Sequence, residues 1–200
     1  MELSKQIGQC IIESTNEFGI RSSKRSDPIH KKIAGIIVEL NPNLTCKIED
    51  KLKISTGSFR VDISVWRCSK VICLISVKAP LNNIQQNMTN GQNVKGGELL
   101  KMINAHPDAK IVFLDFIPVE CRYYFKDGLS KKVESFVPEK IIKSNSELLK
   151  ILSPRGISLC DGIFTIFTKN NYSNKRGKLE FVEVVDYSDM DKFVQLIREL

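Results

Sequence analysis

Three residues in the first half of the chain have types and spacings that could do chemistry: Asp62, Ser76 and Lys78. Asp62 lies in Phe59-Arg60-Val61-Asp62-Ile63-Ser64-Val65-Trp66, which alternates apolar and polar residues as a half-buried strand does. Arg67 to Lys70 reads as a tight turn, and Val71 to Val77 as a nearly continuous apolar run that closes on Ser76-Val77-Lys78. Ser76 and Lys78 are two positions apart and share one face of that strand, and a hairpin of this length brings Asp62 alongside them. Lys78 is then a cation at the end of an apolar strand, close to a carboxylate. Burying such a charge is costly unless it is paired or put to use, so this is either an ion pair of the core or the polar centre of a reaction.

The elements that must position these residues follow from hydrophobic period. A helix is expected over Glu2 to Phe18, where Ile7, Ile11 and Ile12 recur at helical spacing. A basic, Ser-rich stretch, Arg21 to Asp27, precedes a second helix over Ile29 to Leu40, opened by Pro28 with Asp27 as N-cap and stopped by Asn41-Pro42. From Thr45 the period becomes alternating, and Cys46, Ile48, Leu52 and Ile54 fit a strand or hairpin interrupted by charge. After Lys78-Ala79-Pro80 a polar, amide-rich segment runs from Leu81 to Asn93, and Gly96-Gly97 precedes a helix expected over Glu98 to Ala105. Lys110 to Val119 reads as a buried strand. Ser144 to Leu152 reads as a helix capped by Ser146, Gly162 to Thr168 and Leu179 to Val185 as strands, and Asp189 to Leu200 as an amphipathic helix. Helices, a three-strand meander, a helix and a further strand imply an α/β fold, a mixed sheet flanked by helices.

The Asp62–Lys78 arrangement resembles the PD-(D/E)xK nuclease superfamily, to which most type II restriction endonucleases belong. That family carries an Asp on one strand of a hairpin and an acidic-x-Lys triplet on the next. Here the Asp position is Arg60-Val61-Asp62, without the family's preceding proline, and the triplet reads Ser76-Val77-Lys78, without the acidic residue. Some restriction enzymes of the superfamily also have Ser-x-Lys and supply the second carboxylate from the following helix, where Glu98 is the match in Gly96-Gly97-Glu98-Leu99-Leu100. The alternative is that Ser76 marks a degenerate, inactive site. A glutamate on the helix before the hairpin is a fourth family element. Glu39 matches it, with Glu13 and Glu17 as competitors and a solvated helix residue as the plain alternative. Asn83, Gln86, Asn87 and Asn90, ahead of Glu98, also follow a run shared by several type II enzymes. Their amides can make bidentate contacts to adenine and hydrogen bonds to phosphate, although a solvated loop is the competing reading.

What the resemblance implies is a magnesium-dependent, sequence-specific endonuclease acting on double-stranded DNA. Asp62, Glu98 and the Val77 carbonyl would bind one or two Mg²⁺ ions, with Mn²⁺ as a substitute, and Lys78 would orient or activate the attacking water. The products would be a 5′-phosphate and a 3′-hydroxyl. Cutting both strands calls for two sites and hence a homodimer, through the N-terminal helices or the terminal helix. A cognate DNA methyltransferase is implied as well, to protect the host genome. The expected organisation is one domain over 1–200, with a catalytic core over 28–120 and DNA-recognition or dimerisation elements over 121–200.

Composition is compatible with that reading. The chain has 200 residues, enough for one domain, with 42% apolar and 26% charged residues. Its net charge of +7 favours a polyanionic partner, and Lys175 and Arg176, in a basic loop with Lys169 and Lys178, are candidates to hold a DNA backbone. Six cysteines without a C-x-x-C pair and two distant histidines argue against a structural zinc centre and for reduced thiols. The first residues lack the apolar core of a secretory signal and no apolar run could span a bilayer, so a soluble, cytoplasmic protein is expected. Phosphate-cradling glycine loops, nucleophile elbows and metal-binding histidine motifs are absent. Two rivals stay open: a repair or structure-specific nuclease, and a non-catalytic DNA-binding protein on a degenerate nuclease fold.

Overall fold

The computed structural model describes residues 2–19, 22–81, 84–124, 130–153, 156–173, 178–185 and 188–200, with backbone alone at 2, 84–92, 123–124 and 130–132. The alternating segments after Thr45 form an antiparallel meander of β1 (Thr45–Ile54), β2 (Gly57–Arg67) and β3 (Lys70–Lys78). β4 (Lys110–Pro118) and β7 (Gly162–Tyr172) run parallel to β3, and β8 (Leu179–Val184) is antiparallel to β7. Together they make a six-stranded mixed sheet in the order β1-β2-β3-β4-β7-β8, the α/β class that the element order implies. β3 and β4 are central and parallel, covered on both faces, which is why they read as continuous apolar runs.

Helices cover both faces. On one, α1 (Glu2–Phe18), α2 (Ser26–Leu40) and α5 (Met190–Glu199) bring Ile7, Ile11, Ile33, Ile37, Phe193 and Ile197 against Ile63, Ile75, Val112, Leu114 and Ile166. On the other, α3 (Ile84–Ala105) and α4 (Pro138–Ile151) bring Leu99, Met102 and Leu148 against Leu74, Ile111, Phe113 and Ile163. Each such side chain contributes about 1.5–3 kcal/mol when fully buried. Strand alternation then decides the rest: Ser76 and Lys78 follow Leu74, Asp115 follows Phe113 and Thr165 follows Ile163, so all four face α3 and α4. Among the described residues no helix is long and apolar enough to cross a membrane.

The fold departs from the sequence expectations in four places. α3 does not start at Glu98: it is 22 residues long and takes in the amide-rich segment from Ile84, so Glu98 lies well inside it. Gly96 and Gly97 do not break it, because a glycine costs a helix interior only about 1 kcal/mol against alanine, and an added Cβ at either would meet open space. α2 begins at Ser26, with Asp27 and Pro28 in its first turn and no side-chain cap. α4 starts at Pro138, preset for the first helical turn, and Ser146 is internal to it. A separate hairpin, β5 (Glu120–Tyr124) with β6 (Ser130–Ser135), precedes α4, tied to the main sheet by the Val119 amide donating to the Thr168 carbonyl at 2.8 Å. Residues on both sides of position 120 build the same core, from Ile7 to Leu200.

Candidate active site

The site forms where the β2–β3 ladder ends. Pairing runs from Arg67–Lys70 to Ile63–Ile75 and stops there, leaving Asp62 one step beyond, beside Ser76. The Val77 amide is claimed by the Asp62 carboxylate, at 2.6 Å to Oδ2. The amide and carbonyl of one strand residue point to the same edge, so the Val77 carbonyl faces this gap too. Glu98 arrives from α3, whose Leu99 and Met102 lock that helix face onto the sheet. Ser76 Oγ stands between the two acids, 2.7 Å from Glu98 Oε2 and 3.3 Å from Asp62 Oδ2. Lys78 Nζ lies 3.0 Å from Glu98 Oε1 and 3.6 Å from Asp62 Oδ2.

These groups are half-buried: the side chains of Asp62, Glu98 and Lys78 keep 21%, 25% and 39% of their exposure, so a ligand from solvent can reach them. Burial opposes the charged form of Lys78, but the carboxylates of Asp62 and Glu98, joined by Asp115, outweigh it and hold its pKa above the ordinary lysine value. The ammonium therefore stays charged while it bridges two carboxylates. Two carboxylates and a backbone carbonyl are hard oxygen donors, and a cation already bridges the acids, so this set fits a magnesium ion with waters completing its shell.

Sequence reasoning did not find the groups next to it. Asp115 is the register neighbour of Lys78 on β4, and Thr165 that of Asp115 on β7, extending a polar row across three strand ends. Asp115 is 3% exposed and pairs with Lys95 of α3 at 2.6 Å; Asn145 of α4 donates to Thr165 Oγ1 at 2.8 Å. The signal was present as a single acid inside the apolar run Ile111 to Ile117. Arg25, read with a basic loop, is instead buried, and its Nη2 donates to the Ala79 carbonyl at 2.7 Å, pinning the residue after Lys78.

Of the residues singled out from sequence, the fold brings together Asp62, Ser76, Val77, Lys78 and Glu98. Glu39 is not among them. It is exposed on the last turn of α2 and has no hydrogen bond or ion pair with that group, because α2 turns its Ile33–Ile37 face to the sheet and Glu39 outward. Glu13 accepts from Gln9 within α1. Gln86, Asn87 and Asn90 lie on the N-terminal half of α3 rather than a loop, and their side chains fall outside the described residues. Asn83, Lys175 and Arg176 also lie outside the described residues.

A second polar cluster joins α2 to β1. One ligand atom each from Asp27, His30 and Glu49 lie within 4.8 Å of one another, and His30 Nδ1 is 3.0 Å from Glu49 Oε1. Glu49 stands across from Asp62 in the β1–β2 register, between the Ile48–Ile63 and Asp50–Val61 pairs, yet leaves the ladder at a φ of 50°. That left-handed backbone costs about 1–2 kcal/mol and is coupled to a carboxylate turned toward His30. Comparison of the chain with family models, with curated proteins and with solved structures returned no match.

Proposed function

We propose that this protein is a divalent-metal-dependent endonuclease of the type II restriction class, hydrolysing double-stranded DNA at specific sequences. The observation that carries this reading is the convergence of strand-borne Asp62 and helix-borne Glu98 on Lys78 Nζ, at 3.6 and 3.0 Å, at a solvent-accessible sheet end. Mg²⁺, or Mn²⁺ in its place, supplies Lewis-acid polarisation of the scissile phosphate and a lowered pKa for a bound water. Asp62, Glu98 and the Val77 carbonyl would hold it, and Ser76 fixes the Glu98 carboxylate through its hydroxyl. Lys78 donates to the attacking water or to a non-bridging oxygen, offsetting the negative charge that grows there. The water oxygen bonds to phosphorus as the P–O3′ bond breaks, leaving a 5′-phosphate, and the departing oxygen takes a proton to become a 3′-hydroxyl. The net charge of +7 supports a DNA substrate. Two-strand cleavage requires a second site, hence a homodimer, and a host in whose cytoplasm such an enzyme works needs a matching methyltransferase.

The test is incubation of the purified chain with phage DNA and Mg²⁺ or Mn²⁺, beside Lys78→Ala. Discrete fragments from the wild type, and a rate lower by at least about 10²-fold in the variant, are expected. A smear would replace the restriction reading with a nonspecific nuclease. Intact DNA under every condition, with binding retained, would leave a non-catalytic DNA-binding protein.

A further inference from the structure

The nuclease reading leaves Lys78 with a difficulty. Its partners, Glu98 and Asp62, are the carboxylates a divalent cation would claim, so a loaded site takes both away from the ammonium. A lysine without an acceptor on a flexible four-carbon stem has no fixed position from which to orient a water. The neighbouring strand carries the remedy. Asp115 is the register partner of Lys78, one inter-strand spacing of about 4.8 Å away, on the same sheet face. Its Oδ2 is fixed by Lys95 at 2.6 Å, while its Oδ1 is buried and has no hydrogen-bond partner. A buried carboxylate oxygen with no donor calls for an explanation. Lys95 precedes Glu98 by one turn of α3, so one rigid helix face holds both the acid that would bind the cation and the cation that fixes Asp115.

We propose that Asp115 is the positioning residue for Lys78: when a divalent cation occupies Asp62 and Glu98, the Lys78 ammonium passes to Asp115 Oδ1, with Lys95 holding that carboxylate in place. This rests on the metal-dependent reading of Asp62 and Glu98. The charges then alternate along the strand ends, and Lys78 has an acceptor in both states of the site, Glu98 without the cation and Asp115 with it.

The experiment is side-chain NMR of lysine-¹⁵N-labelled full-length protein without DNA, titrated with Mg²⁺, with the Lys78 signal identified by its loss in Lys78→Met. Asp115→Asn is the first variant. Because breaking a buried pair can unfold the chain, Lys95→Met/Asp115→Asn, which removes both charges, is the second. In the wild type Mg²⁺ should shift the Lys78 NH₃⁺ resonance and leave it protected from water exchange. In the variants the same addition should broaden it away. Single-turnover cleavage should then fall by about tenfold or more, with KM for DNA and the Mg²⁺ midpoint within about twofold, the signature of a group acting on the chemical step. If Mg²⁺ moves the Lys78 resonance identically in wild type and variants, Asp115 is not its acceptor and the proposal is overturned while the metal reading stands. If neither Mg²⁺ nor Mn²⁺ perturbs the Lys78 resonance in the wild type or the variants, the metal reading fails and takes the proposal with it.

Discussion

Ser76 occupies the point where two carboxylates meet, and that explains how a serine serves there. An acidic side chain at 76 would set a third carboxylate beside Asp62 and Glu98, against the charge of Lys78 alone, so a small hydroxyl on β3 and an acid on α3 belong together. The arrangement should be exchangeable. On the nuclease reading, Glu98→Ala should remove several kcal/mol of cation and phosphate stabilisation, an expected loss of at least about 10²-fold in cleavage. Ser76→Glu/Glu98→Ala, which returns the acid to the strand, should recover activity to within about tenfold of wild type. A double variant no more active than Glu98→Ala would sink the idea that the acid can migrate. Ser76→Ala, which leaves the carboxylates facing each other, should lower the unfolding free energy by about 1–3 kcal/mol in metal-free urea denaturation. Saturating Mg²⁺ should return part of that loss. The thiols differ by their surroundings in the same way. Burial pushes Cys10, Cys46 and Cys160 up to about 11 and Cys121 up to about 12, and raises Cys73 further, while Cys68 is exposed in the β2–β3 turn. Iodoacetamide near neutral pH should therefore label Cys68 quickly, the half-buried Cys10 and Cys46 slowly, and Cys73, Cys121 and Cys160 only on unfolding, as counted by intact mass. Rapid labelling at several positions would contradict this packing.

The elements that were legible in sequence are those whose pattern is set by burial. β2 alternates because one edge of the meander is half-covered, and β3 and β4 are apolar throughout because helices lie on both faces. α3 was legible only in its second half. Leu99 and Met102 give that half an apolar stripe, whereas the amides of its first half carry none, and two glycines between them resemble a stop. Register in α3 matters for chemistry, since Lys95 and Glu98 reach Asp115 and Lys78 from successive turns. α1 is held equally closely at Gly8, where an added Cβ would come within 2.6 Å of the Val182 carbonyl of β8. Gly8→Ala gains about 1 kcal/mol in helix propensity but forces α1 off the sheet edge, for a net loss of about 1–2 kcal/mol. At this size that lowers the melting temperature by about 2–4 °C per kcal/mol. An unchanged or raised melting temperature would show that α1 can pivot on β8.

At the scale of the whole molecule, 30 basic against 23 acidic residues leave a net charge of +7. On the nuclease reading much of that excess meets phosphate, so affinity should fall steeply as salt rises. Neutralising Lys175 and Arg176 should weaken DNA binding, measured by fluorescence anisotropy. The slope of log K against log salt should become shallower by about 0.9 for each phosphate that these side chains neutralise. An unchanged slope would remove these two residues from the interface. The basic stretch before α2 contributes differently. Arg25 is spent inside, on the Ala79 carbonyl beside Lys78, so Arg25→Leu should disturb the end of β3 rather than the salt slope.

By itself the sequence determined the α/β order of elements and the hairpin that sets Asp62 beside Ser76 and Lys78, because strand period and turn length are local properties. It named Glu98 as the second carboxylate through the family resemblance alone, and Glu39 as a further acid with Glu13 and Glu17 as competitors and no means of choosing among those three. Tertiary packing brings Glu98 to Lys78 through the Leu99–Met102 face of α3, and leaves Glu39 on the outer side of α2. Asp115 showed only as a lone acid in an apolar run, and nothing in the sequence paired it with Lys95. A buried charge is tolerable only with its partner, and that partner comes from another element folded across the parallel strands.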